Sequence, residues 1–382
     1  MDRRVFLKTG SAAAAGLAPG TLARSNPPGF SSDAGSKYLI LACDGGGLRG
    51  YLSSLILQKL NQELGIFGTN NQNIDFYAGT STGGLIALGL AYGKNIDSVV
   101  ELYQTSGSKI FTPSSVQAPC LSSVPTILKD ATSNLRELWQ VLYDDIGVQS
   151  VRSVIEDFIP GNPTLSSLPN RVMVATFQLA ASLETGTSWN PLIIDNLDDS
   201  TAKETYLYDA ALSTSAAPVY FPPYQHPTFG WCSDGGLFAN NPAPQAVARA
   251  IETGWPISKI SLLSIGTGFI NASISVSSEQ RLCYGLKNWV WLKQNGPTPP
   301  FPLLNGIMAG VSATNDYLCS QLLGSRYLRV NPVLDKAVTL DDYSASTMQL
   351  FESTANNLFK SEEWTVVKDW VTTNFRELRP GL

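Results

Sequence analysis

Apolar positions follow two rhythms along the chain. Tyr38-Leu-Ile-Leu-Ala-Cys43 is a short unbroken apolar run, the pattern of a strand buried on both faces. It leads straight into Asp44-Gly45-Gly46-Gly47-Leu48-Arg49-Gly50, after which Leu52, Leu55, Ile56, Leu60 and Leu64 recur at helical spacing. The pattern predicts strand, glycine loop, helix. A second unit repeats it: a strand over 74–78, a tight turn Gly79-Thr80-Ser81-Thr82-Gly83-Gly84, and a helix of small residues over 85–92. Further strands are predicted at 171–177, 192–195, 259–265 and 327–330, with helices at 148–158, 242–253 and twice within 347–378. Strands alternating with helices specify an α/β fold whose sheet is covered on both faces.

Two stretches read as loops. Residues 104–134 are rich in Ser, Thr and Pro and are placed to cover a site; residues 283–306 hold Trp289, Trp291 and Pro297-Thr-Pro-Pro-Phe-Pro302. Trp289, Trp291, Leu292 and Phe301 suit either an interfacial patch or an acyl-chain wall, or plain core. Residues 24–36 are polar with Pro and Gly and read as a linker. No internal repeat and no second boundary interrupts 37–382, which is read as one domain.

Composition narrows the class. Hydrophobic residues make up 43% of the 382, enough for a buried core and too many for disorder. Basic residues number 26 against 31 acidic, a net charge of −5, so a nucleic-acid partner is not expected. No run of 18 apolar residues suits a membrane-spanning helix. The five Cys and single His show no metal-ligand spacing, so no metal or cofactor is expected. Nor does the Cys spacing suit a disulfide framework, though one optional bridge stays open. At the N-terminus, Arg3-Arg4-Val5-Phe6-Leu7-Lys8, an Ala-rich stretch and Thr21-Leu22-Ala23 resemble a twin-arginine signal cut after residue 23. Export to a periplasmic or extracellular space is the expectation; a flexible basic tail is the alternative.

Two glycine turns carry the candidate chemistry. Residues 45–50 fit G-x-G-x-x-G, a dinucleotide fingerprint, but the same glycines serve any ligand that approaches backbone N–H groups at a helix N-terminus. Gly79-Thr-Ser81-Thr-Gly83 between a strand and a helix fits a nucleophile elbow, in which Ser81 sits on a strained turn with its hydroxyl exposed. A serine needs a base. The single His226 lies in the Pro-rich segment Pro222-Pro-Tyr-Gln-His226-Pro, poorly placed for the last member of a triad. Asp234, before Gly235-Gly236, is the carboxylate candidate, and it could act as a base only if partly desolvated. An Asp that merely initiates a turn is the alternative.

Taken together, Asp44-Gly-Gly-Gly-Leu-Arg-Gly50, Gly79-Thr-Ser-Thr-Gly83 and Asp234-Gly-Gly, in that order, resemble the patatin-like phospholipase family. Ser213-Thr-Ser-Ala-Ala-Pro-Val-Tyr-Phe221, Asn240-Asn-Pro and Leu263-Ser-Ile-Gly-Thr-Gly268 add to the resemblance, which covers about 37–268 and weakens over 269–382. The resemblance implies a three-layer α/β/α fold with a mostly parallel central sheet. It implies a lipid acyl hydrolase with a Ser–Asp dyad: Ser81 as nucleophile, Asp234 as general base, and the Gly45, Gly46 and Gly47 amides as oxyanion hole. Arg49 holds the family's basic position, steadying the loop or attracting an anionic head group; a structural salt bridge is the other reading. A lipid acyl ester is the implied substrate, met at a peripheral membrane or micelle surface, with no cofactor. The rivals are a non-catalytic lipid-binding protein of the same fold, a His226-dependent α/β-hydrolase and a nucleotide-binding protein.

Overall fold

The computed structural model describes residues 38–111, 145–180, 188–273, 285–290 and 301–376. The first unit is β1 (Tyr38–Cys43), the glycine loop and α1 (Gly50–Leu64); the second is β2 (Phe76–Thr80), α2 (Thr82–Tyr92) and α3 (Ile96–Ile110). Then come α4 (Asp145–Phe158), β3 (Val172–Ala180), β4 (Ser188–Asp195), α5 (Leu207–Ser215), β5 (Tyr224–His226) and β6 (Gly230–Asp234). The short α6 (Gly236–Ala239), α7 (Ala243–Glu252), β7 (Ile260–Ile265) and β8 (Phe269–Ile270) follow. The chain closes with α8 (Leu286–Val290), α9 (Pro302–Leu323), β9 (Tyr327–Val330), β10 (Val333–Leu334), α10 (Ala345–Phe359) and α11 (Glu362–Arg376).

The main sheet has eight strands in the order β5-β6-β3-β2-β1-β7-β9, with β4 also pairing β3. Its centre is parallel, β1 lying between β2 and β7 with β9 beyond. Period-two burial explains why β1 reads as a continuous apolar run. Leu39, Leu41 and Cys43 enter the core on one face, while Ile40 and Ala42 enter the core on the other. Helices α1 to α5, α10 and α11 supply residues to the first core, and α7 and α9 to the second. The result is the patatin-like α/β fold with helices on both faces.

One feature of the sheet decides where the chemistry sits. Strand β4 lines β3 from Met173 to Ala180, so β2 and β6 must share the opposite edge. Strand β2 runs parallel to β3 and stops where Thr80 pairs Ala175. Strand β6 runs antiparallel and stops where Asp234 pairs Thr176, the next residue. The two strands therefore end head to head, and the chain must leave the sheet at Ser81 and at Gly235.

Two loop readings need correction. Residues 104–110 are the last turns of α3 rather than loop: Ile96, Val99, Val100, Tyr103 and Ile110 form its buried stripe, which the Ser and Thr between them mask. Residues 286–290 and 302–306 of the other stretch are helical too. Phe301 is core, buried and packed edge-on to Tyr220 with centroids 5.8 Å apart, not part of an interfacial patch. Trp289 is partly exposed. Trp291, Leu292, residues 112–134, and the stretch 1–36 that the sequence reading takes as signal and linker lie outside the described residues. Cys43, Cys232 and Cys319 are buried free thiols; Cys120 and Cys283 lie outside the described residues.

Candidate active site

Ser81 occupies the turn between β2 and α2 with φ 55° and ψ −127°, a region that L-residues adopt only under constraint. The constraint is close backbone packing. A Cβ on Gly79 would lie 2.1 Å from the Gly83 carbonyl oxygen, and one on Gly83 would lie 2.2 Å from the Cys43 carbonyl oxygen. The two glycines of the motif thus let the elbow close on itself and on β1. The Ser81 N–H donates to Thr214 Oγ1 at 2.8 Å, and that hydroxyl in turn donates to the Ala175 carbonyl at 2.6 Å. Thr214, on α5, ties the strained residue to β3. Ser81 is also the N-cap of α2, where the helix dipole favours negative charge.

Asp234 meets Ser81 because their strands stop side by side. Its carboxyl is buried, 3% exposed, and accepts a hydrogen bond at 2.7 Å from the Gly236 N–H, and the Ser81 hydroxyl lies near enough to favour its charged form. Burial pushes its pKa up to about 6, and the Ser81 hydroxyl and the Gly236 N–H limit the rise. A desolvated carboxylate in contact with a serine hydroxyl can accept its proton near neutral pH, which a solvated Asp does poorly. The turn-initiating role coexists with this one, since the Gly236 bond is an Asx-type turn.

The glycine loop sits beside Ser81. A Cβ on Gly45 would be 3.3 Å from the Ser81 Cβ, and Gly47 lines the same cavity as Ser81. The oxyanion assignment narrows here. The Gly45 N–H donates to the Asn240 carbonyl at 2.9 Å and is committed to it, so Gly45 leaves the set of donors. The Gly46 and Gly47 N–H groups take no acceptor among the described residues. Gly47 has φ +59°, and a Cβ there would lie 2.2 Å from the Leu340 carbonyl oxygen. The glycines are thus accounted for by close approaches within the protein, without a pyrophosphate.

Arg49 is buried, and its Nε donates to the Gly46 carbonyl at 3.2 Å. It forms no salt bridge among the described residues, so the loop-supporting reading matches its geometry and the salt-bridge reading does not. Burial pulls the guanidinium below its ordinary value, opposed by nearby Tyr220 and Asp44. The loop's ion pair is made instead by Arg329 of β9, which the sequence did not single out. Its guanidinium grips Asp44 through both carboxylate oxygens, at 2.6 and 2.5 Å.

His226 lies elsewhere. It pairs with Gly230, four residues before Asp234 on β6 and so about 13 Å away by strand rise. Its Nδ1 accepts the Thr228 and Phe229 N–H groups at 3.0 and 3.1 Å, and burial lowers its pKa. It is the core of a hairpin, not a partner of Ser81. Among the described residues no group of three or more His, Cys, Asp or Glu could hold a metal.

From Ser81 and Gly47 a cavity of about 50 Å³ runs inward between Leu48, Leu85, Tyr103, Ile110 and Val151. A second cavity of about 20 Å³ shares Leu85, Ile110 and Val151 with it and continues to Phe158 and Ile159. Both are walled almost wholly by hydrocarbon.

The structure brings a strained serine, a buried aspartate and the glycine loop together at one end of the sheet. The family model for patatin-like phospholipases matches residues 41–247, more than half of the chain. The chain belongs to the patatin-like phospholipase family. It is 30% identical over 265 residues to the cGAMP-activated phospholipase of Vibrio cholerae, covering 66% of this chain and 70% of that one. It is 28% identical to Protein teg of Priestia megaterium over 78% of this chain and 88% of that one. Probable inactive patatin-3-Kuras 1 of Solanum tuberosum is 25% identical, covering 85% and 87%. Among solved structures, VipD from Legionella pneumophila has 16% identity and a TM-score of 0.39, over 84% of this chain and 67% of that one. Human GIVD cytosolic phospholipase A2 has 10% identity and a TM-score of 0.36, over 90% and 61%.

Within this patatin-like site the Thr214 hydroxyl is the tie that sequence motifs describe least. Thr214→Val keeps the side-chain shape but leaves the Ser81 N–H without its acceptor. The expected result is a loss of about 1–3 kcal/mol in stability, read by thermal or urea unfolding.

Proposed function

We propose that the protein is a lipid acyl hydrolase working through an acyl-serine intermediate. The observation that carries the reading is the strained Ser81 at the end of β2 set beside Asp234 at the end of β6, a buried carboxyl whose pKa is raised to about 6. In this mechanism Asp234 takes the proton as Ser81 attacks the ester carbonyl. The Gly46 and Gly47 amides receive the oxyanion, a contribution of about 3 kcal/mol per donor in comparable sites. The protonated Asp234 gives that proton to the leaving oxygen as the alcohol or lysolipid departs; the carboxylate, ionised again, takes a proton from water as it attacks the acyl-serine, and returns it to Ser81 as the fatty acid is released. The chain's own residues supply nucleophile, base and oxyanion donors. Relatives named as phospholipases support lipid esters as the substrate class. The hydrocarbon-walled cavity next to Ser81 supports an acyl chain as the buried part of the substrate.

Ser81→Ala and Asp234→Asn are expected to abolish hydrolysis of p-nitrophenyl acyl esters and mixed phospholipid micelles, while His226→Ala keeps most of it. Loss of activity in a folded His226→Ala variant would return the base to histidine. A wild type that neither hydrolyses these substrates nor reacts with a fluorophosphonate at Ser81 would make the protein a lipid binder. Because Asp234 works as the ionised base, activity should fall as pH drops through about 6. Stability responds in the opposite sense. The folded-state pKa is raised, so the protonated form favours folding, and that advantage is lost as pH rises from the unfolded value toward 6. Asp234→Asn should therefore be dead yet more stable at pH 7.5, by up to about 3 kcal/mol, since it removes an ionised buried group.

The wall shared by the two cavities sets a second expectation. Val151→Phe should block passage beyond the first cavity and shorten the preferred chain. Each methylene excluded costs about 0.8 kcal/mol, roughly fourfold in kcat/KM, so a series of esters of increasing chain length should turn over earlier in the variant.

Export is the remaining proposal, supported by Arg3-Arg4-Val5-Phe6-Leu7-Lys8 and the small residues before position 24. Changing Arg3 and Arg4 together to Lys should leave the precursor inside the producing cell; unimpaired export by fractionation would end this reading.

A further inference from the structure

The stretch matched by the family model ends at residue 247, yet most of what holds the glycine loop comes from beyond it. Asp44, immediately before the glycines, is buried and held from β9. Arg329 Nη1 donates to Asp44 Oδ1 at 2.6 Å and to Ser264 Oγ at 2.7 Å, while Nη2 donates to Asp44 Oδ2 at 2.5 Å. Next along the loop, Thr267 Oγ1 donates to the Gly45 carbonyl at 3.0 Å. At the far end the Leu48 N–H donates to the Leu340 carbonyl at 2.8 Å, the same oxygen that leaves no room for a side chain on Gly47. Between these ties lie the two amides without an acceptor, Gly46 and Gly47.

A two-pronged guanidinium–carboxylate contact fixes direction as well as distance. As a source of net stability such a buried pair is weak, because removing both ions from water offsets most of their attraction. Its distinctive effect is to set the orientation of Asp44 and of the peptide that follows it. An oxyanion donor is useful only if aimed at the place where charge develops, and it must be aimed before the reaction begins.

We propose that Arg329 is a positioning residue for ester hydrolysis: through Asp44 it aims the Gly46 and Gly47 amides, with the Leu340 carbonyl holding the other end of the loop. The inference rests on the Ser81–Asp234 reading and deepens it. It makes the region after the family-matched core a working part of the site. Arg329 acts through Asp44 and the loop, not on the substrate.

Arg329→Lys keeps the positive charge beside Asp44 but removes the second prong. The expected loss is ~10- to 100-fold in kcat, as for a displacement near 1 Å. KM should stay within about twofold, since the oxyanion contact is made in the transition state rather than the ground state. The acidic limb near pH 6 should not move, because Asp234 keeps its surroundings. In hydrogen exchange followed by mass spectrometry, the peptide spanning 44–49 should exchange faster than in wild type. Asp44→Asn combined with Arg329→Gln guards against unfolding by an unpaired charge, and it should show the same kcat loss in a folded protein.

A folded Arg329→Lys variant with wild-type kcat and wild-type exchange at 44–49 overturns the inference. So does a variant whose activity falls only in proportion to its folded fraction. In both cases an active wild type that labels with fluorophosphonate at Ser81 leaves the dyad standing. A wild type that neither hydrolyses esters nor labels overturns the dyad, and the positioning role with it.

Discussion

Two strands compete for one edge of β3. With β4 filling the other edge, β2 and β6 arrive from opposite directions and stop at Ala175 and Thr176. Neither can continue without colliding with the other. The chain must turn out of the sheet at both stops, and the residues at the turns are Ser81 and Asp234. The serine's backbone strain follows, because the exit from β2 is tight enough that Gly79 and Gly83 touch each other and β1. Burial of the aspartate follows too, because it ends a strand inside the sheet rather than at a surface loop. The proposed dyad is thus a product of sheet topology before it is a product of side-chain choice.

The same edge concentrates unfavourable terms. Asp44, Arg49, Asp234 and Arg329 are all withdrawn from water around the loop and elbow, and Ser81 holds a sparsely populated conformation. Each of these costs free energy that a neutral, relaxed site would not. The offset comes from the two apolar cores on the faces of the sheet, built of aliphatic and aromatic side chains. A site assembled against its local preferences is what a pre-aimed catalyst requires, and it should become more stable when its charged groups are neutralised.

Much of this was legible in the sequence for identifiable reasons. The strands β1, β3 and β7 are mostly apolar runs, and β1 and β7 lead into glycine turns, so their places and the α/β order could be read. Ser81 and Asp234 are each flanked by glycines at fixed offsets, and the scarcity of His pointed to a carboxylate. Arg329 could not be read, because it is one arginine in a strand 285 residues from its partner, with no glycine beside it. The Leu340 contribution is a backbone carbonyl, which no side-chain pattern records. Gly45 looked equivalent to its neighbours, and only the Asn240 carbonyl sets it apart. Helix α9 escaped because its Gly, Ala, Ser and Thr blur the apolar period over 22 residues.

A carboxylate base also differs from a histidine in what sets its strength. Imidazole titrates near neutral pH without help, whereas an aspartate reaches about 6 here only because it is buried. In the proposed mechanism the basicity of Asp234 therefore belongs to its surroundings: the β3 backbone behind it, the α6 turn beside it and Ser81 before it. A change that lets water reach the carboxylate lowers its pKa and weakens it as a base, even with every catalytic atom in place. Dryness and alignment become one requirement, and the hydrocarbon cavity meets it from the substrate side. An acyl chain seated there would complete the exclusion of water, coupling occupancy of the cavity to the strength of the base.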